Sequence, residues 1–268
     1  MRRFAYICAG VLVFTGSAVA DYRDDCKDYE NPDKAIRACT VLLQLQPQNA
    51  VVYAHRGSAY ITKKDYDSAL RDFDAAIRID TRQPAIIYSL RGAAHQGRRE
   101  YDLAIADFTE SIRLDAKLTP SYRQRAEAYE AKNDYDRAIA DYTKAIELEP
   151  KNAQSFLDRG NLHFQKKDYN RAVSDFSEAI KVNPNFFDAY FNRAVTHHRS
   201  GRAAEGLVDI ERALKMRPQD VDTIEWRALI LEKLGRTQDA VAGFRAALAL
   251  DPSAAQSKEG LKRLGAAR

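Results

Sequence analysis

Most of what marks a chain as an enzyme is absent from these 268 residues. There is no glycine-rich phosphate loop, no nucleophile elbow and no His-Glu-x-x-His pair. Carboxylates are plentiful, but they recur at a fixed period and read as surface and register residues. No catalytic residue and no cofactor is therefore assigned, and the chain is not expected to be an enzyme. A concentrated basic stripe, the electrostatic footprint of a nucleic-acid binder, is missing as well. Lys and Arg alternate with Asp and Glu throughout, and without the first twenty residues 40 bases face 38 acids, a net of +2. Beyond those twenty residues no run is long and apolar enough to span a bilayer, which takes about 20 residues. What is there is ordinary in amount: 45% hydrophobic residues, enough to bury a substantial core, and 30% charged residues with a mean hydropathy of −0.51, a well-hydrated surface.

The N-terminus has a different grammar. Arg2 and Arg3 precede an apolar run from Phe4 to Phe14, and Thr15 to Ala20 closes on an Ala-x-Ala pattern. This is the layout of a secretory signal peptide cleaved after Ala20. Cys8 does not suggest lipidation, because Ile7 precedes it where a small residue is wanted. The expectation is an exported, soluble protein, with the Gram-negative periplasm preferred.

From there on the chain repeats itself. "YDSALRDFDAAIRID" at Tyr66 returns as "YDLAIADFTESIRLD" at Tyr101, "YDRAIADYTKAIELEP" at Tyr135 and "YNRAVSDFSEAIKVNP" at Tyr169. The small residue inside this phrase recurs at Ala35, Ala69, Ala104, Ala138, Ala172, Gly206 and Ala240, a period of 34 with one extra residue. A fixed period of this size marks a solenoid. Repeats start near 16, 50, 85, 119, 153, 187 and 221, and the extra residue fits the linker around Pro84. Each repeat reads as two helices. In the fourth, Tyr122, Arg125, Ala126 and Tyr129 share one face; Asn133 turns the chain and Asp134 caps the next helix. Pro47, Pro150, Pro184, Pro218 and Pro252 follow the second helices and stop them.

Small residues recur where helices approach (Gly57, Gly92, Ala126, Gly160, Ala194, Ala228), with aromatics beside them (Tyr53, Tyr88, Tyr122, Phe156, Tyr190; Phe73, Phe108, Tyr142, Phe176, Phe244). With the Ala series and the prolines, this pattern resembles the tetratricopeptide repeat family over about 16 to 254. The resemblance implies an all-α, right-handed superhelical solenoid of about seven helix-turn-helix repeats, with the first helices forming a concave wall. The expected layout is a signal peptide at 1–20, a solenoid over 21–254 (repeats near 21–49, 50–84, 85–118, 119–152, 153–186, 187–220 and 221–254) and a capping helix over 255–268. In that last segment Leu261 and Leu264 make one apolar side among Lys258, Glu259, Lys262 and Arg263.

Two series depart from the family's usual pattern. Arg56, Arg91, Arg125, Arg159, Arg193 and Arg227 stand where Leu is usual, and Asp72, Asp107, Asp141, Asp175 and Asp209 precede the second-helix aromatic or its equivalent. These are read as partly buried ion pairs that set helix register rather than as an ion path. Pairing within a repeat and pairing with the next repeat each make five pairs, so both stay open. The seventh repeat has Gly243 in place of Asp. His95, His163 and His197 fill Tyr positions such as Tyr60 and Tyr129, without neighbours at ligand spacing in sequence, and no metal site is assigned. Cys26 and Cys39, at the offsets of Tyr129 and Tyr142, are expected on facing surfaces of the first repeat's helices and, in an exported protein, to form a disulfide.

A helical wheel turns the second, fifth, ninth, twelfth and thirteenth positions of each first helix away from the core. The fourth and seventh repeats are polar there: Arg123, Glu127 and Glu130, then Asp222, Glu225 and Glu232. The fifth and sixth carry Leu157, Asn161, Phe164, Phe191, Val195, His198 and Arg199. Apolar and aromatic residues rimmed by charge make a peptide-docking patch. Asn161 is expected to bond a peptide backbone, and Arg199 or Arg123 an acidic side chain. The family's carboxylate clamp, with its Lys and Asn, is not reproduced. The expected function is a scaffold or adaptor of the cell envelope that takes a protein or peptide segment in its groove. Self-association through incomplete ends and docking regulation of a cell-wall enzyme are the alternatives.

Overall fold

A computed structural model describes residues 22–79 and 84–267. The expected signal peptide and residues 80–83, where the extra linker residue falls, lie outside the described residues. After a helical turn at 22–25, the described residues form fourteen helices and no strand. They are α1 (Pro32–Leu45), α2 (Ala50–Thr62), α3 (Tyr66–Ile79), α4 (Pro84–Gly97), α5 (Tyr101–Leu114), α6 (Thr119–Ala131), α7 (Tyr135–Leu148), α8 (Ala153–Gln165), α9 (Tyr169–Val182), α10 (Phe187–Arg199), α11 (Ala203–Met216), α12 (Val221–Lys233), α13 (Thr237–Leu250) and α14 (Ala255–Arg263). The chain divides into two compact bodies, one ending at Ser121 and one beginning at Tyr122.

The helix boundaries follow local chemistry. Asn49, Asn152 and Asp220 lie in extended or near-extended backbone and accept from the backbone N–H three residues on, which satisfies one of the orphan donors of a helix start. Inside the second to seventh repeats the chain reverses through one residue with positive φ: Lys64, Arg99, Asn133, Lys167, Gly201 and Gly235, between +60° and +81°. Asn133 and the two glycines suit that region. Lys64, Arg99 and Lys167 sit in it against the preference of side chains with a Cβ.

In the N-terminal body, consecutive helices α1 to α5 pack against one another, and α2 also touches α4. One apolar cluster gathers Cys26, Ala38, Cys39, Leu42 and Val52, and a second gathers Ala69, Phe73, Ala76 and Ile87. In the C-terminal body the same rule links α7 through α14 in order. The first helices of neighbouring repeats also touch, α8 with α10 and α10 with α12, and α12 touches the final helix α14. The small residues have a steric reason. A Cβ at Gly57, Gly92 or Gly160 would fall 2.7 Å from the ring of Phe73, Phe108 or Phe176, the aromatic of the partner helix. The final helix closes its end of the body. Leu261 is buried, Gly260 lies under Phe244, and the buried Glu225 carboxylate accepts from the backbone N–H and hydroxyl of Ser257 at 2.8 and 2.7 Å.

The candidate binding wall

Each first helix contributes an inner and an outer face, and the inner face is tied down by one repeated ion pair. Arg56, Arg91, Arg125, Arg159 and Arg193 each donate from Nε and Nη2 to both oxygens of the aspartate sixteen residues on: Asp72, Asp107, Asp141, Asp175 and Asp209, at 2.6–3.0 Å. Pairing is thus within the repeat. The third guanidinium nitrogen reaches back one repeat: Nη1 donates to Thr40 from Arg56, to Asp74 from Arg91, to Thr143 from Arg159 and to Ser177 from Arg193. One arginine therefore fastens two helices of its own repeat and one of the repeat before. Where Gly243 replaces the aspartate, Arg227 keeps only the backward bond, to Glu211 at 3.2 Å. A Cβ at Gly243 would fall 3.0 Å from that of Ala228, a tight approach.

The histidines join this row. Nε2 of His163 lies 3.8 Å from Asp175, that of His95 3.9 Å from Asp107, and that of His197 4.0 Å from Asp209. The carboxylates that look remote in sequence are therefore close in space. Even so, no group of three His, Cys, Asp or Glu residues among those described could hold a metal ion. Burial holds the His163 and His197 imidazoles below their ordinary pKa.

On the wall of the C-terminal body, successive first helices open a cavity of about 380 Å³. Asn161 and Phe164 of α8 line it, with Phe191 and Val195 of α10, all four expected there. Glu130, Gln165, Phe176, Asn192 and Trp226 complete the lining. Phe164 and Phe191 are half-buried, held by Tyr169 and Phe187 with ring centroids 5.7 and 6.0 Å apart. Asn192 donates from Nδ2 to Oδ1 of Asn161 at 2.8 Å, which leaves an amide donor on one side chain and an amide acceptor on the other. His198 and Arg199 do not line the cavity but meet at its end on Trp226, His198 edge-on at 5.6 Å and Arg199 with its guanidinium 5.5 Å above the ring. Leu157 is placed differently. It is 5% exposed and belongs to the core cluster of Phe156 and Phe176, so it supports the wall from below and offers no contact surface. Arg123 stands on α6, and its Nε is buried without a hydrogen-bond partner.

Trp226, Asn192 and Asp158 share the sixth position of their repeats, which the wheel expectation passed over. At about 100° per residue that position falls about 20° beyond the thirteenth, just outside the arc that was assigned to the wall. A second cavity was also missed. In the N-terminal body, about 1050 Å³ opens among Tyr29, Val51, Ala54, His55, Ile86 and Leu90, with Val51 62% and Ile86 43% exposed. Val51 and Ile86 hold the second position of their repeats and His55 and Leu90 the sixth, so the signal was present in repeats not read for it. Cys26 and Cys39 meet in this body, Cα atoms 4.8 Å and sulfurs 2.04 Å apart.

Family models for the TPR repeat match residues 126–167 and 160–201, and tetratricopeptide repeat models match 50–82, 187–220 and 207–255. The chain belongs to the tetratricopeptide repeat family. Its helices superpose on the C-terminal part of a TPR repeat-containing protein from Cytophaga hutchinsonii with a TM-score of 0.76 at 19% identity, over 91% of this chain and 99% of that one. MamA superposes at 0.60 with 20% identity, over 64% of this chain and 94% of its own. YrrB, described as a TPR protein with an unusual peptide-binding site, superposes at 0.64 with 19% identity, over 71% and 97%. At such identities the likeness is one of fold. Among curated proteins, DnaJ homolog subfamily C member 3 of Mus musculus is 40% identical over 47 residues, 18% of this chain and 9% of its own length. Small glutamine-rich tetratricopeptide repeat-containing protein 2 of Saccharomyces cerevisiae is 43% identical over 54 residues, 20% of this chain and 15% of its own. The tetratricopeptide fold is that of a protein–protein interaction scaffold, and no helix among the described residues is long and apolar enough to cross a membrane.

Proposed function

We propose that this tetratricopeptide protein is an adaptor of the cell envelope that holds an extended segment of a partner on the wall of its C-terminal body. The observation that carries the reading is the half-buried aromatic lining at Phe164, Phe191 and Trp226, set on three successive first helices. Aromatic side chains that keep open surface on a rigid frame are the residues that anchor interfaces. The Asn161–Asn192 amide pair supplies a donor and an acceptor, the complement of one peptide group. The peptide-binding site named for YrrB belongs to that protein, and it supports the same use of a shared fold here. Envelope location is supported by the leader-like N-terminus and by Cys26 and Cys39, which stand where an oxidising compartment would bond them.

The test is a Phe164→Ala, Phe191→Ala double variant used beside the wild type to capture partners from an envelope extract. With helical content and melting temperature matched, the variant loses the partners that the wild type retains. Retention at wild-type affinity would place the site elsewhere. Self-association is the second reading, favoured by the open apolar side chains of Val51 and Ile86 in the N-terminal body. A sizing run across concentration separates the two, because a monomer at every concentration removes self-association.

A further inference from the structure

The wall cavity is not electrically neutral along its length. Glu130 is the charged side chain of its lining. Glu127 lies one turn earlier on α6, and Asp158 projects from the neighbouring α8. Glu130 feels the other two, and Asp158 feels Glu127. Burial first, then Asp158 and Glu127, raises the Glu130 carboxyl above its ordinary value. Asp158 is raised by burial and by Glu127, against a hydrogen bond from Gln154 and the field of Arg123. Burial first, and then the same three carboxylates, push up the Tyr142 phenol. At the opposite end, Arg199 covers Trp226, and the field of Lys233 reaches His198. Glu232, the acid of that end, is taken up by two hydrogen bonds from Arg263 at 2.6 Å. Glu130, with Asp158 beside it, makes one end of the cavity acidic, the middle is aromatic, and the other end is cationic.

Resting on the binding reading above, we propose that this cavity selects a segment in which an aromatic or aliphatic anchor is flanked by Lys or Arg. The anchor sits among Phe164, Phe191 and Trp226, and the cation is held by Glu130 and Asp158. Charge complementarity decides the class of partner. A cation placed between these carboxylates removes the repulsion that the empty patch carries, whereas an acidic segment adds to it. The cationic far end fixes direction, with the basic residue of the segment toward α6 and α8. Because both carboxyls are harder to ionise than usual, the preference weakens on acidification before ordinary surface carboxylates protonate.

The experiment is selection from a displayed library of random peptides on the protein from residue 21 onward. It is run in parallel on the wild type, on Glu130→Gln, Asp158→Asn, and on Phe164→Ala, Phe191→Ala, with folding checked by circular dichroism. The wild type is expected to enrich sequences with Lys or Arg beside an apolar residue. The carboxamide variant should keep the apolar enrichment and lose the basic one, and the alanine variant should lose both. A synthetic peptide of the winning sequence, with its basic residue changed to Glu, should bind the wild type roughly tenfold more weakly or worse, the scale of one charge-assisted contact. Apolar enrichment without basic residues, or with acidic ones, overturns the inference and leaves the groove reading intact. Enrichment that survives in the alanine variant, or none in the wild type, overturns both.

Discussion

Arg159 shows what the repeated ion pair does. It meets the buried Asp175 through two bonds and Thr143 of the preceding repeat through a third. Replacement by Met leaves a buried carboxylate without its partner, a loss on the order of 3 kcal/mol. Arg159→Met should therefore lower the melting temperature while leaving partner binding within a few-fold. Adding Asp175→Leu should recover much of the loss, because the stranded charge is gone. A large binding loss at unchanged stability would show that the row acts in recognition instead. His163 gives a pH signature at the same scale. Burial, with help from Arg159 and Arg171 and against Asp175 and Asp168, lowers its folded pKa below the ordinary value near 6.5. The folded protein then binds that proton less readily than the unfolded chain, so protonation favours unfolding. Stability should fall as pH drops below about 6.5 and level off below the lowered folded value. The raised Glu130 and Asp158 carboxyls act with the opposite sign, so the comparison has to be made with a variant. Thermal melts of His163→Tyr, which installs the residue found at Tyr60 and Tyr129, should show a shallower decline between about pH 7 and pH 5. An unchanged slope would remove His163 from this role.

Helices and their ends were largely legible in the sequence, for a physical reason: a period of 34 repeats every turn and close approach, so each element is specified several times over. Repeat starts at 50, 119, 153, 187 and 221 coincide with the first residues of α2, α6, α8, α10 and α12. What could not be read depends on geometry that a period does not carry. Either direction of Arg–Asp pairing satisfies the spacing, and only the side-chain reach within one helical hairpin selects the aspartate sixteen residues on. Leu157 and Phe191 hold the same position in their repeats, yet one is core and the other lines the cavity, because burial depends on the neighbouring helix. Trp226 escaped because the wall was drawn one stripe too narrow. At the element scale the sharpest prediction concerns the first repeat, where Cys39 of α1 and Cys26 beside the preceding helical turn stand at bonding distance and are predicted to form a disulfide. Thiol titration of the denatured, unreduced protein should find no free cysteine once residues 1–20 are removed. Reduction should destabilise the chain by about 3 kcal/mol in the chain-entropy account. Two titratable thiols would contradict it.

For the molecule as a whole, a chain built from one repeated hairpin can vary its wall from repeat to repeat while the ion pairs, glycines and second-helix aromatics that hold each hairpin recur. The two bodies use that freedom differently: the N-terminal one opens a large apolar cavity beside Tyr29 and His55, and the C-terminal one a smaller aromatic cavity with charged ends. The central claim is that the second of these is where a partner segment sits. Trp226 is the single tryptophan of the chain and lines that cavity, so its emission reports on the site without any label. Titration of the protein with the peptide selected on it should shift or quench Trp226 emission along a saturable curve, with a midpoint equal to the affinity measured by calorimetry. The Phe164→Ala, Phe191→Ala variant should show neither signal. Calorimetric binding with Trp226 emission unchanged, and with full affinity in the variant, would contradict the account.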